Sequence, residues 1–253
     1  MPNLALLFRR PSRDPQNIDV TLDNAIYPVR LRRNRQARRY TLRIQTAKRE
    51  VVLTMPQRGS IADARAFAQQ HAAWIATRLD RLPDEIVFAP DVRVPLRGIE
   101  HRIVHRPNRR GVAFVAPGAN GEPELHVPGQ APHLGRRVRD FLKKEATRDL
   151  DVASRRYATL LNVTVSRISL RDQSSRWGSC SSTGRLCYSW RLIMAPSFVL
   201  DYLAAHEVAH LVELNHSPRF WAAVRRVCPD ADRAKTWLDT QGATLHRYDA
   251  PEH

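Results

Sequence analysis

His206, Glu207, His210 and His216 stand within eleven residues in A-H-E-V-A-H-L-V-E-L-N-H-S-P-R-F-W, Ala205–Trp221. Helical residues four apart differ by about 40° of rotation and about 6 Å of rise, so two imidazoles at that spacing converge on one ion. Glu207 sits about 100° round from His206, outside the pair but within reach of a water beside it. This is the H-E-x-x-H arrangement of two ligands and an adjacent base. A catalytic zinc takes three protein ligands and keeps a fourth position open. One turn beyond His210 the chain offers Leu214, which cannot ligate. His216 follows Asn215, a residue suited to a left-handed helix end. Asn215-His216-Ser217-Pro218 therefore reads as helix stop, third ligand, N-cap and first helical residue. Phe220 and Trp221 would anchor the new helix in the core.

The elements that must position these groups follow from pattern. Pro196-Ser197 opens an apolar helix through Phe198, Tyr202, Leu203 and Val212, and this helix carries the motif. Unpaired histidines on so apolar a helix would be costly. Before it, Thr183-Gly184 reads as a two-residue turn between strands Arg176–Ser182 and Arg185–Ile193. That register sets Cys180 opposite Cys187. Leu186, Tyr188, Trp190 and Leu192 share one face. A helix from Leu134 to Leu161 buries Val138, Phe141, Leu142, Leu150, Ala153, Tyr157 and Leu160.

Residues 1–25 look irregular. Residues 26–133 read as a strand-rich, basic N-terminal subdomain, with one helix of about twenty residues from Ser60. The Pro- and Gly-rich run 116–133 marks a break, placing the catalytic domain at 134–253. No internal repeat is visible. The fold class expected is α+β.

R-W-G-S-C-S at Arg176–Ser181, then W-R-L-I, a helix and the histidine stretch, resemble the YgjP-like metallopeptidase family, related to the SprT-like and WLM groups of the zincin clan. The resemblance implies a zincin-like domain binding one zinc ion through His206, His210 and His216. It implies Glu207 as catalytic base, and an edge strand, Arg176–Ser181 or Arg185–Ile193, that pairs with substrate main chain. Candidate substrate contacts are Arg176, Trp177, Gly178, Ser179 and Arg191. Trp177 is expected to pack in the core. Arg176 and Arg191 are read equally as substrate contacts or ion pairs.

Composition bounds the remaining possibilities. Lys and Arg total 41 against 25 Asp and Glu, a net charge of +16. Such a field attracts nucleic acid, nucleotides or acidic protein. Arg32, Arg33, Arg35, Arg38 and Arg39 are the candidate nucleic-acid contacts. Three cysteines exclude a disulfide framework. The apolar run near the N-terminus is too short for a signal peptide, and no stretch has the length of a membrane span, so a cytoplasmic protein is expected. Two other readings stay open. One is metal-dependent hydrolysis of an anionic small molecule such as a nucleotide phosphoanhydride, although no Walker-type loop is present. The other is a protease recruited to nucleic acid by its basic N-terminal region.

Overall fold

A computed structural model describes residues 15–45, 49–82, 84–173 and 176–248. The short apolar run near the N-terminus lies outside these residues. The chain forms two compact units, one up to Leu82 and the other from residue 84 onward.

In the first unit β1 (Asn17–Leu22), β2 (Ala25–Asn34), β3 (Thr41–Gln45) and β4 (Glu50–Pro56) form a sheet in the order β1-β2-β4-β3. β1 occupies part of the segment expected to be irregular. The central pair β2–β4 is parallel and the outer pairs are antiparallel. Ile18, Val20, Val29, Val51, Leu53 and Met55 bury one core against the helical residues Ala64, Ala68 and Ile75. The Ser60 hydroxyl accepts from the Asp63 amide and caps α1 (Ile61–Gln70). The single helix expected here is two. His71 leaves helical geometry and its Nδ1 lies 2.8 Å from the Phe67 carbonyl oxygen, so its ring engages the backbone where α1 gives way to α2 (Ala72–Asp80).

The second unit repeats this strand plan. β5 (Arg93–Leu96), β6 (Ile99–Arg106), β7 (Phe114–Pro117) and β8 (Pro123–Pro128) lie in the order β5-β6-β8-β7, again with a parallel central pair. A helix follows here too: α3 (Leu134–Leu161). The sequences do not reveal the repetition. The Pro- and Gly-rich run is largely the β7–β8 hairpin and the 3-10 turn Ala131–His133 after it, not an interdomain break. Val94, Leu96, Ile103, Leu125 and Val127 share one core with Val138 and Leu142 of α3. The division expected near residue 134 therefore falls between 82 and 84. On α3, Leu160 is exposed and Leu161 is buried in its place, just before the helix ends at Asn162 in the left-handed region.

A third sheet completes the unit: β9 (Arg167–Arg171), β10 (Gly178–Cys180) and β11 (Arg185–Ser189), in the order β10-β11-β9. β10 is thus an edge, and Arg185–Ser189 is interior rather than the alternative edge. The β10–β11 loop has one residue more than expected. The Gly184 amide donates to the Ser181 carbonyl, and Gly184 takes φ +74°. That extra residue shifts the register, pairing Cys180 with Leu186 and Ser179 with Cys187. A one-residue slip reverses every face, so the two cysteines point to opposite sides. The buried turn Trp190–Met194 is 3-10 helix rather than strand. Then come α4 (Ser197–Ala209), α5 (Pro218–Val227) and α6 (Ala231–Gln241). Among the described residues no helix is long and apolar enough to cross a membrane.

Candidate active site

α4 is held by an almost wholly buried apolar surface that includes Val199, Tyr202, Leu203, Ala205 and Val208. It delivers His206 and Glu207 from its last turn and ends with His210 as its cap. The helix therefore stops earlier than expected. Asn215 is not in the left-handed region. The chain instead winds on through hydrogen bonds that the Leu211 amide donates to the Val208 carbonyl and the Val212 and Glu213 amides donate to the Ala209 carbonyl, then loops to His216. The Ser217 hydroxyl accepts from the Phe220 amide and starts α5 with Pro218 in its first turn, as the sequence indicates.

This path brings the three imidazoles together. One nitrogen from each of His206, His210 and His216 lies within 4.8 Å of the others. The Nε2 atoms of His206 and His216 are 3.2 Å apart. Two zinc bonds of about 2.05 Å at a tetrahedral angle place their nitrogens about 3.3 Å apart. Fully buried Phe220 lies against all three rings, with centroids 4.5 Å from His210 and 4.9 Å from His206 and His216.

The outer ring nitrogens are engaged. His210 Nδ1 is 3.3 Å from the Glu213 carbonyl oxygen, and His206 Nδ1 is 3.4 Å from the Tyr202 hydroxyl. A carbonyl only accepts, so the His210 proton sits on Nδ1 and its Nε2 lone pair is left for a ligand. Burial, then the neighbouring His210 and His216, pushes His206 down to about 4. Burial also lowers His210. Both rings are neutral near pH 7, the form that binds metal. Facing imidazole nitrogens 3.2 Å apart also need a proton or a cation between them. The donor set fits a zinc ion.

Glu207 is buried beside this cluster, and burial pushes its carboxyl up to about 7 against the pull of Arg176. Its position depends on Gly178 in β10. A Cβ on Gly178 would stand 2.7 Å from Glu207 Cγ and Cδ, and nearer still to Oε1. The sequence suggests a glycine there for close backbone approach, and the group that approaches is Glu207.

The domain model of the YgjP-like metallopeptidases matches residues 38–241. The chain belongs to that family. It is thus a metallopeptidase, a hydrolase that works with a metal ion. No curated protein matches. Among solved structures the chain is similar to the metallopeptidase zymogen of Pyrococcus abyssi abylysin, at 22% identity and a TM-score of 0.34, over 39% of this chain and 97% of that one.

The other expected site residues of this YgjP-like chain separate into two groups. Gly178 and Ser179 lie in the edge strand β10, Gly178 against Glu207, and Arg176 precedes that strand. Trp177 turns inward and stacks on His246, with centroids 4.9 Å apart. Arg191 is not available to a substrate. It is fully buried, bound to Asp172 through Nε at 2.7 Å and Nη2 at 3.1 Å, and donates to the carbonyl oxygens of Leu245 and Tyr248. In the first unit Arg32, Arg35, Arg38 and Arg39 are exposed, whereas Arg33 donates to the carbonyl oxygens of Gln57 and Gly59 and ties down the turn after β4. Burial, and then Glu207, raises the Cys180 thiol to about 11, so it stays protonated. The sequence reading placed Tyr202 only among the apolar positions of the helix and missed its hydroxyl facing His206, although a tyrosine four residues before the first histidine was the available signal.

Proposed function

We propose that the protein is a zinc-dependent peptidase in which His206, His210 and His216 hold one zinc ion and Glu207 is the general base. The observation that carries this reading is the convergence of three imidazoles with a buried carboxyl beside them and an edge strand alongside. When bound, zinc supplies the Lewis acidity that makes water a nucleophile near neutral pH and polarises a carbonyl. Glu207 takes the proton of the attacking water and returns it to the departing amine. The unpaired side of β10 offers main-chain donors and acceptors to an extended peptide, which then lies beside Glu207. Tyr202 and the Glu213 carbonyl orient the two helix-borne imidazoles.

Reconstitution tests the reading. Metal-free protein titrated with zinc should regain hydrolysis of a mixed peptide pool at about one equivalent per chain, set by a single three-histidine site. His216→Ala should neither retain the ion nor recover activity. Equal peptide cleavage by metal-free and zinc-loaded protein, or cleavage of nucleotides alone, would contradict it.

A further inference from the structure

The three-stranded sheet has one apolar face and one basic face. Strand alternation and register put Arg167, Ser169 and Arg171 of β9, Arg185 of β11 and Ser179 of β10 on one side. Ile168, Leu170, Leu186 and Tyr188 fall on the other, against the core. With Arg176, the basic side forms a cleft of about 480 Å³. Its four arginines, Arg167, Arg171, Arg176 and Arg185, are all exposed.

Among the described residues no carboxylate and no aromatic side chain lines this cleft. Among the described residues lining the cleft none offers a carboxylate to Arg167, Arg171 or Arg185, and Arg176 Nε donates to the neutral Gln173 amide at 3.2 Å. Several other arginines of the same unit are matched: Arg97 with Glu145 and Asp149, Arg155 with Asp151, Arg156 with Asp201. Four like charges with no carboxylate among the described residues that line the cleft are complementary to an anion.

We propose that this cleft selects acidic polypeptide substrates, a conclusion that rests on the peptidase reading above. The cleft begins at β10, the strand that touches Glu207 on its inner face through Gly178 and opens outward through Ser179. A peptide paired with β10 sends alternate side chains over the outer face. Strands lie about 4.8 Å apart, so Arg176 and Arg185 come first within reach of those side chains, while Arg167 and Arg171, on the far strand β9, add to the positive field of the same face. A single-stranded nucleic acid would want aromatic platforms for its bases, and the cleft has none.

Binding, rather than turnover, tests this. The full-length Glu207→Gln protein is mixed with labelled decapeptides carrying four Glu or four Gln at the same places, and with a single-stranded oligonucleotide, and anisotropy is read at fixed salt. The Glu peptide should bind about tenfold more tightly than the Gln peptide, as expected for a few exposed ion pairs. The advantage should fall below about twofold in Arg167→Gln/Arg185→Gln and persist in Arg58→Gln/Arg65→Gln, which removes equal charge from the first unit. Arg185→Glu should shift preference away from the Glu peptide. Equal binding of the Glu and Gln peptides, equal loss in both double variants, or tighter binding of the oligonucleotide with loss in Arg167→Gln/Arg185→Gln would overturn the proposal. Failure of the wild-type protein to cleave a peptide that binds would count against the peptidase reading alone.

Discussion

Gly178→Ala adds one methyl group at the point where β10 meets Glu207. The new carbon would lie 2.7 Å from Glu207 Cγ and Cδ. Ordinary carbon contact begins near 3.4 Å, so one side must yield by about 0.7 Å. Gly178 is fixed by pairing with Tyr188 in the sheet, and Glu207 is 4% exposed on a packed helix. The carboxyl is the group freer to move, and it would move off its line to the attacking water. Displacements of this size at a reacting group lower kcat/KM by about 10- to 100-fold. The overpacking itself costs about 1–3 kcal/mol of stability. The atoms nearest the added carbon all belong to Glu207 and none to the histidines, so zinc content should stay at the wild-type level. Peptide hydrolysis, metal analysis and urea unfolding on one preparation separate these effects. Wild-type kcat/KM in Gly178→Ala would refute the claim that this glycine positions Glu207.

Tyr202→Phe removes the hydroxyl that faces His206 Nδ1, and zinc affinity should fall about tenfold by competition with a chromophoric chelator. Phe220→Ala removes the surface beneath all three imidazoles; it should cost about 3–5 kcal/mol in urea unfolding and weaken zinc binding as well. Asp172→Asn leaves Arg191 buried without its carboxylate. It should cost about 2–4 kcal/mol at pH 7, somewhat under a fully buried pair because the Asp172 side chain is 43% exposed. The pH dependence has a definite sign. Burial alone would raise the Asp172 carboxyl, but the hydrogen bonds and charge of Arg191 outweigh it and hold it below the usual carboxylate range. A depressed folded pKa contributes stability that is complete above the unfolded value of about 4 and is lost as pH falls through the folded value. The gap between wild type and Asp172→Asn in urea unfolding should therefore be full at pH 7 and shrink below about pH 4.

The histidine cluster was legible because its spacing is local. His206 and His210 need only a helix, and Ser217-Pro218 announces the next one. The route to His216 was not legible, because it depends on α4 ending at Ala209 and not on the conformation of Asn215. The hairpin before it illustrates a different limit. Thr183-Gly184 fits a two-residue turn by composition, yet Ser182 joins the loop and the whole register moves by one. The division into units was hidden by turn chemistry: proline and glycine in the β7–β8 hairpin look the same as those of a linker. Arg191 shows the third limit. Its sequence neighbours place it in the family's motif region, but only the tertiary fold shows that Asp172 and the carbonyls of Leu245 and Tyr248 consume its donors.

The central claim is that Glu207 acts as base beside a metal held by His206, His210 and His216. Wild type and Glu207→Gln, each reconstituted with zinc and assayed for metal content, are incubated with the same peptide pool and the products read by mass spectrometry. The account predicts equal zinc in both proteins and a loss of cleavage of about 10²- to 10⁴-fold in Glu207→Gln. Equal cleavage by the two proteins at equal zinc would contradict it.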